Sequence, residues 1–334
     1  MEVLLGGLAV TFLGKAAWLW LVFLGLVVVL LVLDLGVLHR KEREIGVGES
    51  LVLSLGYITV GLAFGAWIWS TMGAEAGLNY LTGFAVEKSL ALDNIFVISM
   101  IFSYFAVPRR HQHRVLFWGV LGVIVLRGIM IALGAALVER FDWILWLFGA
   151  FLAITGIKML VMADKPPSDL ADNPVLRFLR RRMRVTPELR GNHFFVREAT
   201  ADGRVVWWAT PLFLCLILVE LADIVFAVDS VPAIFAITTD PYIVYTSNIF
   251  AILGLRALYF ALAAMILRFA YLKYALALVL VFIGGKIFWA QVYGKPDPAI
   301  ALAVTIGLIG GGVVVSLWRS RNDAPPVPED GRAG

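Results

Sequence analysis

The sequence predicts an all-α polytopic membrane protein, and three observations carry that reading. Of its 334 residues 61% are apolar and only 16% charged, against about a quarter charged in an ordinary soluble chain. Apolar stretches of membrane-crossing length recur from residue 16 to residue 318 with brief polar breaks. Alternation at period two, which a membrane β-barrel needs for its polar lumen, is absent. A soluble domain, a disordered chain and a nucleic-acid binder are thereby excluded.

About 20 apolar residues per crossing place nine spans near 16–38, 48–70, 78–106, 112–138, 143–162, 207–237, 242–267, 273–292 and 298–318. The spans starting at 78 and 207 exceed what a bilayer needs and are expected to tilt, bend or unwind. The opening residues lack a basic region, and the apolar run after Lys15 is long enough to stay in the membrane, so no cleaved signal peptide is read there. Cys215, the single cysteine, lies in an apolar run, so no intrachain disulfide and no thiolate metal cluster can form.

Loop charge sets the orientation. One set of loops carries 20 Lys and Arg, nine of them between 163 and 206, whereas the alternate set holds Lys15, Arg140 and Lys295. The positive-inside rule then puts the N-terminus outside and the C-terminus in the cytoplasm of a cell with this chain in its inner (plasma) membrane. The net charge of +4 follows from this topology rather than from a nucleic-acid partner. The 163–206 loop is a basic cytoplasmic connector, too short for a core of its own, with a lipid-headgroup or regulatory role as the alternative. Residues 323–334 are Pro-rich and polar and read as a disordered tail, so residues 1–334 form a single membrane domain.

Self-comparison adds an internal repeat. The segment EKSLALDN (87–94) aligns with DIVFAVDS (223–230), LGVIVLR (121–127) with FAILGLR (250–256), and TGIK (155–158) with IGGK (283–286). Each unit, 78–162 and 207–291, holds three spans. An odd number of crossings forces the second copy in from the opposite side, an inverted repeat of two three-helix units. Such repeats place a substrate site near the midplane where the units meet, so transport leads the functional classes.

Eleven ionisable residues fall within spans: Asp34, Glu87, Lys88, Asp93, Arg127, Lys158, Glu220, Asp223, Asp229, Arg256 and Lys286. At roughly 3 kcal/mol each, facing lipid would cost on the order of 30 kcal/mol, so they turn inward. Arg127, Arg256, Lys158 and Lys286 read as charge-balancing partners. Asp93 and Asp229 read as cation ligands, because each is followed by a small oxygen-bearing residue, Asn94 or Ser230, at repeat-related positions. Glu87 and Asp93, six residues apart, lie about 120° apart around an ideal helix, so one straight helix cannot aim both at one point. Pro232 frees the carbonyl of Val228 as a further oxygen ligand or simply packs. Glu220 and Asp223 share a face as a carboxylate pair, one of which carries a proton. Asn248 either ties helices together or offers an amide oxygen. Asp34 is either a ligand on the route into the site or a helix-end residue reaching to water.

The segments EKSLALDN (87–94), FSYFAVP (102–108), ELADIVFAVDSVPAIF (220–235), TSNIFAILGLR (246–256) and NHFFVR (192–197) resemble the TerC family of membrane proteins, and its Alx-like branch in particular. The resemblance runs from about residue 16 to 318. It implies manganese export, a fold near the LysE-type transporters, and a historical tellurite label. It also implies acidic ligands at Glu87, Asp93 and Asn94 and at Glu220, Asp223 and Asp229. Oxygen donors without His or Cys suit Mn2+, Mg2+ or Ca2+. The expected function is thus efflux of Mn2+, with Mn2+ as substrate, protons as candidate coupling ions, and no prosthetic group. The alternative is a membrane sensor or scaffold of tellurite-resistance type that binds cation without moving it. An enzyme is not expected, since Gly-x-Ser-x-Gly and HExxH are absent and the aspartate motifs are not of the Gly-rich aspartyl type. A tellurite oxyanion carrier would need a positive surplus, whereas six acids face five bases in the spans.

Overall fold

The computed structural model describes residues 11–36, 46–141, 143–161, 173–199, 204–262, 272–294 and 296–322. Residues 323–334, residues 163–172 and 200–203 of the 163–206 connector, and the side chain of Asp93 lie outside the described residues.

The chain is an all-α polytopic membrane protein. Its helices are α1 (Ala17–Gly36), α2 (Val47–Met72), α3 (Ala74–Tyr104), α4 (Arg109–Arg140), α5 (Ile144–Val161), α6 (Pro174–Arg182), α7 (Pro211–Phe235), α8 (Pro241–Leu253), α9 (Leu255–Leu262), α10 (Leu272–Tyr293) and α11 (Pro298–Asn322). With α8 and α9 counted together, nine membrane-length segments stand among the described residues, each within a few residues of an expected span. Eight are apolar enough to cross a membrane by composition alone. The ninth, α3, carries too much charge for that.

The peripheral helices bury one stripe and expose the rest to lipid. On α1, Trp20, Phe23, Val27 and Asp34 are buried, while Leu21, Val28 and Val32 are exposed. The buried members recur at helical spacing. On α2 the buried face carries Gly61 and Gly65, where any side chain would run into the rings of Phe84 and Tyr80 on α3. Small residues let two membrane helices approach until backbone and ring touch. A single residue, Gly73 at φ +94°, joins α2 to α3, a conformation that L side chains rarely adopt.

Neither long span is interrupted. The α7 helix runs through Pro232 to its end one turn later, and the break in the bundle falls instead at Gly254, between α8 and α9. That interrupted segment is the most enclosed, 83% buried against 17–44% for the other apolar spans. It starts with Asp240, whose Oδ1 accepts from the amides of Tyr242 (3.0 Å) and Ile243 (3.5 Å).

The first helix of each predicted unit packs on the second helix of the other, α3 on α8 and α7 on α4, while the third helices, α5 and α10, form the most extensive pair. Their seam is glycine-lined. A Cβ on Gly284 would lie 2.7 Å from the Gly149 carbonyl, and one on Gly156 would lie 2.7 Å from the Ala277 carbonyl.

Two small hairpins, which periodicity did not predict, lie outside the bundle. Thr11–Phe12 (β1) pairs with Lys15–Ala16 (β2) through Leu13 and Gly14, both at positive φ. Phe195–Ala199 (β3) pairs with Val205–Ala209 (β4). With α6, the second hairpin clamps the connector to the ends of α3, α4 and α7: Leu176 is buried, and Leu179, Val185 and Phe194 pack on the same cluster as Leu212 and Leu214.

The α5–α10 seam gives a test. Gly284→Val should destabilise the protein by about 1–3 kcal/mol through overpacking, whereas Gly285→Ala, with open space around it, should leave the melting temperature in detergent unchanged. Equal melting temperatures for both variants would refute the seam.

Candidate functional site

Heptad spacing selects the side chains that meet. Seven residues turn a helix to within about 20° of the starting direction, so Glu87 and Asn94 share one face of α3, and Asp223 and Ser230 share one face of α7. Arg127 enters between these faces from α4, and Asn248 from α8.

The Arg127 guanidinium organises the cluster. Its Nε and Nη2 donate to the two oxygens of Asp223 at 3.2 and 3.1 Å, a bidentate pair. Its Nη1 donates to Glu87 Oε1, to Ser230 Oγ at 3.0 Å and to Asn248 Oδ1 at 3.0 Å. The Asn248 amide donates to Glu87 Oε2 at 3.1 Å, and the Asn94 amide to Asp223 Oδ1 at 3.4 Å. All six residues are buried, Arg127 at 1% and Glu87 at 0% exposure. Two carboxylates against one guanidinium leave a formal charge of −1 inside the bundle.

Two oxygens here have no hydrogen-bond partner among the described residues. Asn94 Oδ1 is one, and Glu220 Oε2 is the other. A cavity of about 20 Å³, lined by Asn94, Asp223, Arg256 and apolar side chains such as Ile98 and Leu116, adjoins the cluster. It lies toward the C-terminal end of α3 and the N-terminal end of α7, the end that the connector clamps. The Glu220 carboxylate rests on Gly122 of α4, where even a Cβ would collide with it.

The repeat-related arginine is bonded differently. Arg256, just past the Gly254 break, pairs with Asp34 of α1, and the Tyr57 hydroxyl bonds the same aspartate. Asp34 is therefore buried in an ion pair rather than reaching to water. Lys88 spans the break from α3 and donates to the Ala251 carbonyl at 3.0 Å.

The expected ligands thus divide. Glu87, Asn94, Asp223 and Ser230 meet around Arg127, with Glu220 beside Asp223. Asp229 instead turns away from Arg127 toward α5, where the Thr155 hydroxyl bonds it and Lys158 supplies opposite charge. Lys286 is half-buried on α10. Among the described residues no three His, Cys, Asp or Glu side chains gather around one point. The donors at the centre are mixed oxygens: two carboxylates, two amides and a hydroxyl.

Deleting the guanidinium while both carboxylates remain should be severe. Arg127→Met should cost about 3–5 kcal/mol, as removal of one partner from a buried ion pair does, and adding Glu87→Gln should recover part of that loss. The check is temperature-ramped tryptophan fluorescence in detergent. An Arg127→Met protein as stable as the parent would refute the network's structural role.

Comparison with known proteins bears on this geometry. The sequence profile of the "Integral membrane protein TerC family" matches residues 72–324. An "Uncharacterized membrane protein STKORF319" of Myxococcus xanthus is 47% identical over 319 residues, covering 92% of this chain and 97% of its own. The Escherichia coli (strain K12) protein named "Putative membrane-bound redox modulator Alx" is 47% identical over 309 residues, covering 90% and 94%. An "Uncharacterized membrane protein" of Rickettsia bellii is 47% identical over 300 residues, covering 90% and 97%. No solved structure matches. The profile match takes in every residue of the Arg127 cluster, and the chain belongs to the TerC family of integral membrane proteins.

Proposed function

We propose that the protein exports a divalent cation, Mn2+ by the family resemblance, through the buried polar core between its two three-helix units. The observation that carries this reading is the cluster around Arg127. It has a formal charge of −1 and oxygen donors for a cation, and its Asn94, whose Oδ1 has no partner among the described residues, lines the adjoining cavity. Hard oxygen donors suit Mn2+, Mg2+ and Ca2+ rather than zinc or copper. A cation arriving through the cavity meets Asn94 and Asp223 first and competes with Arg127 for the carboxylates. Asp93 and Asp229, on the faces about 120° round, complete the ligand set in a conformation where α3 and α7 have turned. Glu220 is the carboxylate that exchanges a proton as the cation passes.

The inverted repeat is supported by how α5 and α10 touch. The offset that pairs Lys158 with Lys286 maps Gly149 onto Ala277 and Gly156 onto Gly284. It thereby converts the contact of Gly149 with Gly284 into that of Ala277 with Gly156. A pseudo-two-fold axis through the seam has this property, and movement of one unit against the other gives alternating access.

The name of the Escherichia coli relative speaks of redox modulation. Cys215 of this chain is single and buried in α7, so no intrachain thiol pair is available. Moving a redox-active ion is one way a membrane protein of this kind alters redox state. The protein acts as a transporter and not as an enzyme, in the inner membrane, with the 163–206 connector in the cytoplasm.

Purified protein in proteoliposomes, with a metal-sensitive dye inside, should show Mn2+ flux that Asp223→Asn, Glu87→Gln, Asp93→Asn or Asp229→Asn reduces at least tenfold. Binding of Mn2+ without flux under a pH gradient of either sign would replace transport with a sensor or scaffold. Reporter fusions within 163–206 should be active only in the cytoplasm; external activity would overturn the orientation.

A further inference from the structure

At the end of the bundle opposite the connector, a polar vestibule of about 440 Å³ opens where α2 meets α3, α7 ends and α8 begins. The β1–β2 turn covers it and contributes Lys15. Two acids line it, Glu75 at the start of α3 and Asp240 at the cap of α8, together with Asn79, Thr238 and Thr239.

The donors there are in unequal states. Asp240 uses Oδ1 to cap α8 and Oδ2 to hold the Lys15 ammonium at 2.7 Å. Glu75 is exposed and has no ion-pair partner among the described residues. Asn79 is 8% exposed, lines the vestibule, and has no hydrogen-bond partner among the described residues. The amide opens onto the vestibule, where a bound cation with its water shell would take the place of solvent at its oxygen.

The position of these residues along α3 is equally informative. Glu75, Asn79, Gly83 and Glu87 follow one another at steps of four, a stripe that winds slowly down the helix from the vestibule to the Arg127 cluster. The separation from Glu75 to Glu87 is about 18 Å at 1.5 Å per residue, so the two are distinct sites. Between them Gly83 packs closely on Ser247: a Cβ on Gly83 would lie 2.9 Å from Ser247 Oγ.

We propose that the vestibule is a second divalent-cation site, built from Glu75, Asn79 and Asp240, in which the Lys15 ammonium stands in for the cation. Resting on the transport reading for its purpose, it receives the ion that leaves the core and holds it weakly before release. Two carboxylates, an amide and two hydroxyls in an open, wet vestibule favour a hydrated oxygen-seeking dication at low affinity. Lys15, on a short hairpin, returns to Asp240 once the ion has gone.

The test uses the full chain in lipid nanodiscs. Thr239→Cys, in a Cys215→Ala background, reports on the vestibule through its rate of labelling by a membrane-impermeant maleimide. Millimolar Mn2+ should slow labelling several-fold, whereas choline chloride at equal ionic strength should not. Glu75→Gln with Asp240→Asn should abolish the protection, and asparagine keeps the α8 cap so that folding is preserved. Lys15→Met should lower the Mn2+ concentration for half-protection about tenfold. Absence of protection, or protection that survives the double substitution, overturns the site whatever the flux measurement gives. Protection that persists in a protein showing no Mn2+ flux leaves the site standing and removes transport as its purpose.

Discussion

Everything in this bundle is arranged around the cost of placing a guanidinium inside a membrane. Arg127 is almost wholly buried, so its hydrogen-bonding directions must find protein oxygens. It finds them on three other helices, and the arrangement is possible only if α3, α4, α7 and α8 converge at one depth. The convergence in turn fixes the interleaving of the two predicted units, since neither alone supplies both carboxylates. The network is therefore a structural keystone and the prime candidate for a moving part at once. The same oxygens that neutralise Arg127 are those a hard cation would take, and the surplus negative charge means that Arg127 does not saturate them.

The two repeat-related arginines show how a symmetric sequence pattern is used asymmetrically. Arg127 sits in an unbroken helix and meets acids from both units. Arg256 follows the Gly254 break and pairs with Asp34, from a helix outside either unit. The break leaves carbonyls without their helical partners, and Lys88 reaches across to one of them. One unit thus offers a rigid arginine, the other an arginine beyond a discontinuity and tied to a peripheral helix. In a carrier that works by rocking one unit on the other, the second arrangement is the one built to yield.

The membrane-crossing pattern was legible in the sequence because hydropathy and loop charge report directly on which residues lipid tolerates. The helix ends fall within a few residues of expectation for the same reason. The site was legible in part. An acid and an aspartate six apart draw the eye in both units, yet a helix brings positions seven apart to one face. Asn94 and Ser230 therefore join Glu87 and Asp223, while Asp229 faces α5. Asp34 looked like a helix-end residue because its partner lies more than two hundred positions away. The break at Gly254 was equally hidden, since glycine is common in membrane helices and only the packed side chains of Tyr57 and Lys88 distinguish this one. The hairpins, two and five residues per strand, are too short for periodicity to reveal.

The polarity of α3 has a consequence for how the chain is made. Charged residues at the middle of a segment oppose its partition from the translocation machinery into lipid, by about 2.5–3.5 kcal/mol each. Glu87 and Lys88 occupy that position, and α3 is the long helix not apolar enough to cross by composition alone. The one-residue connection at Gly73 ties it to α2, so the two must be delivered as a helical pair. Its carboxylate and ammonium meet partners from α4 and α8 only as those helices emerge, Arg127 soon after and the Ala251 carbonyl much later. During synthesis the first unit is therefore an incomplete membrane protein. It waits for the second to cover the side chains that the finished bundle hides.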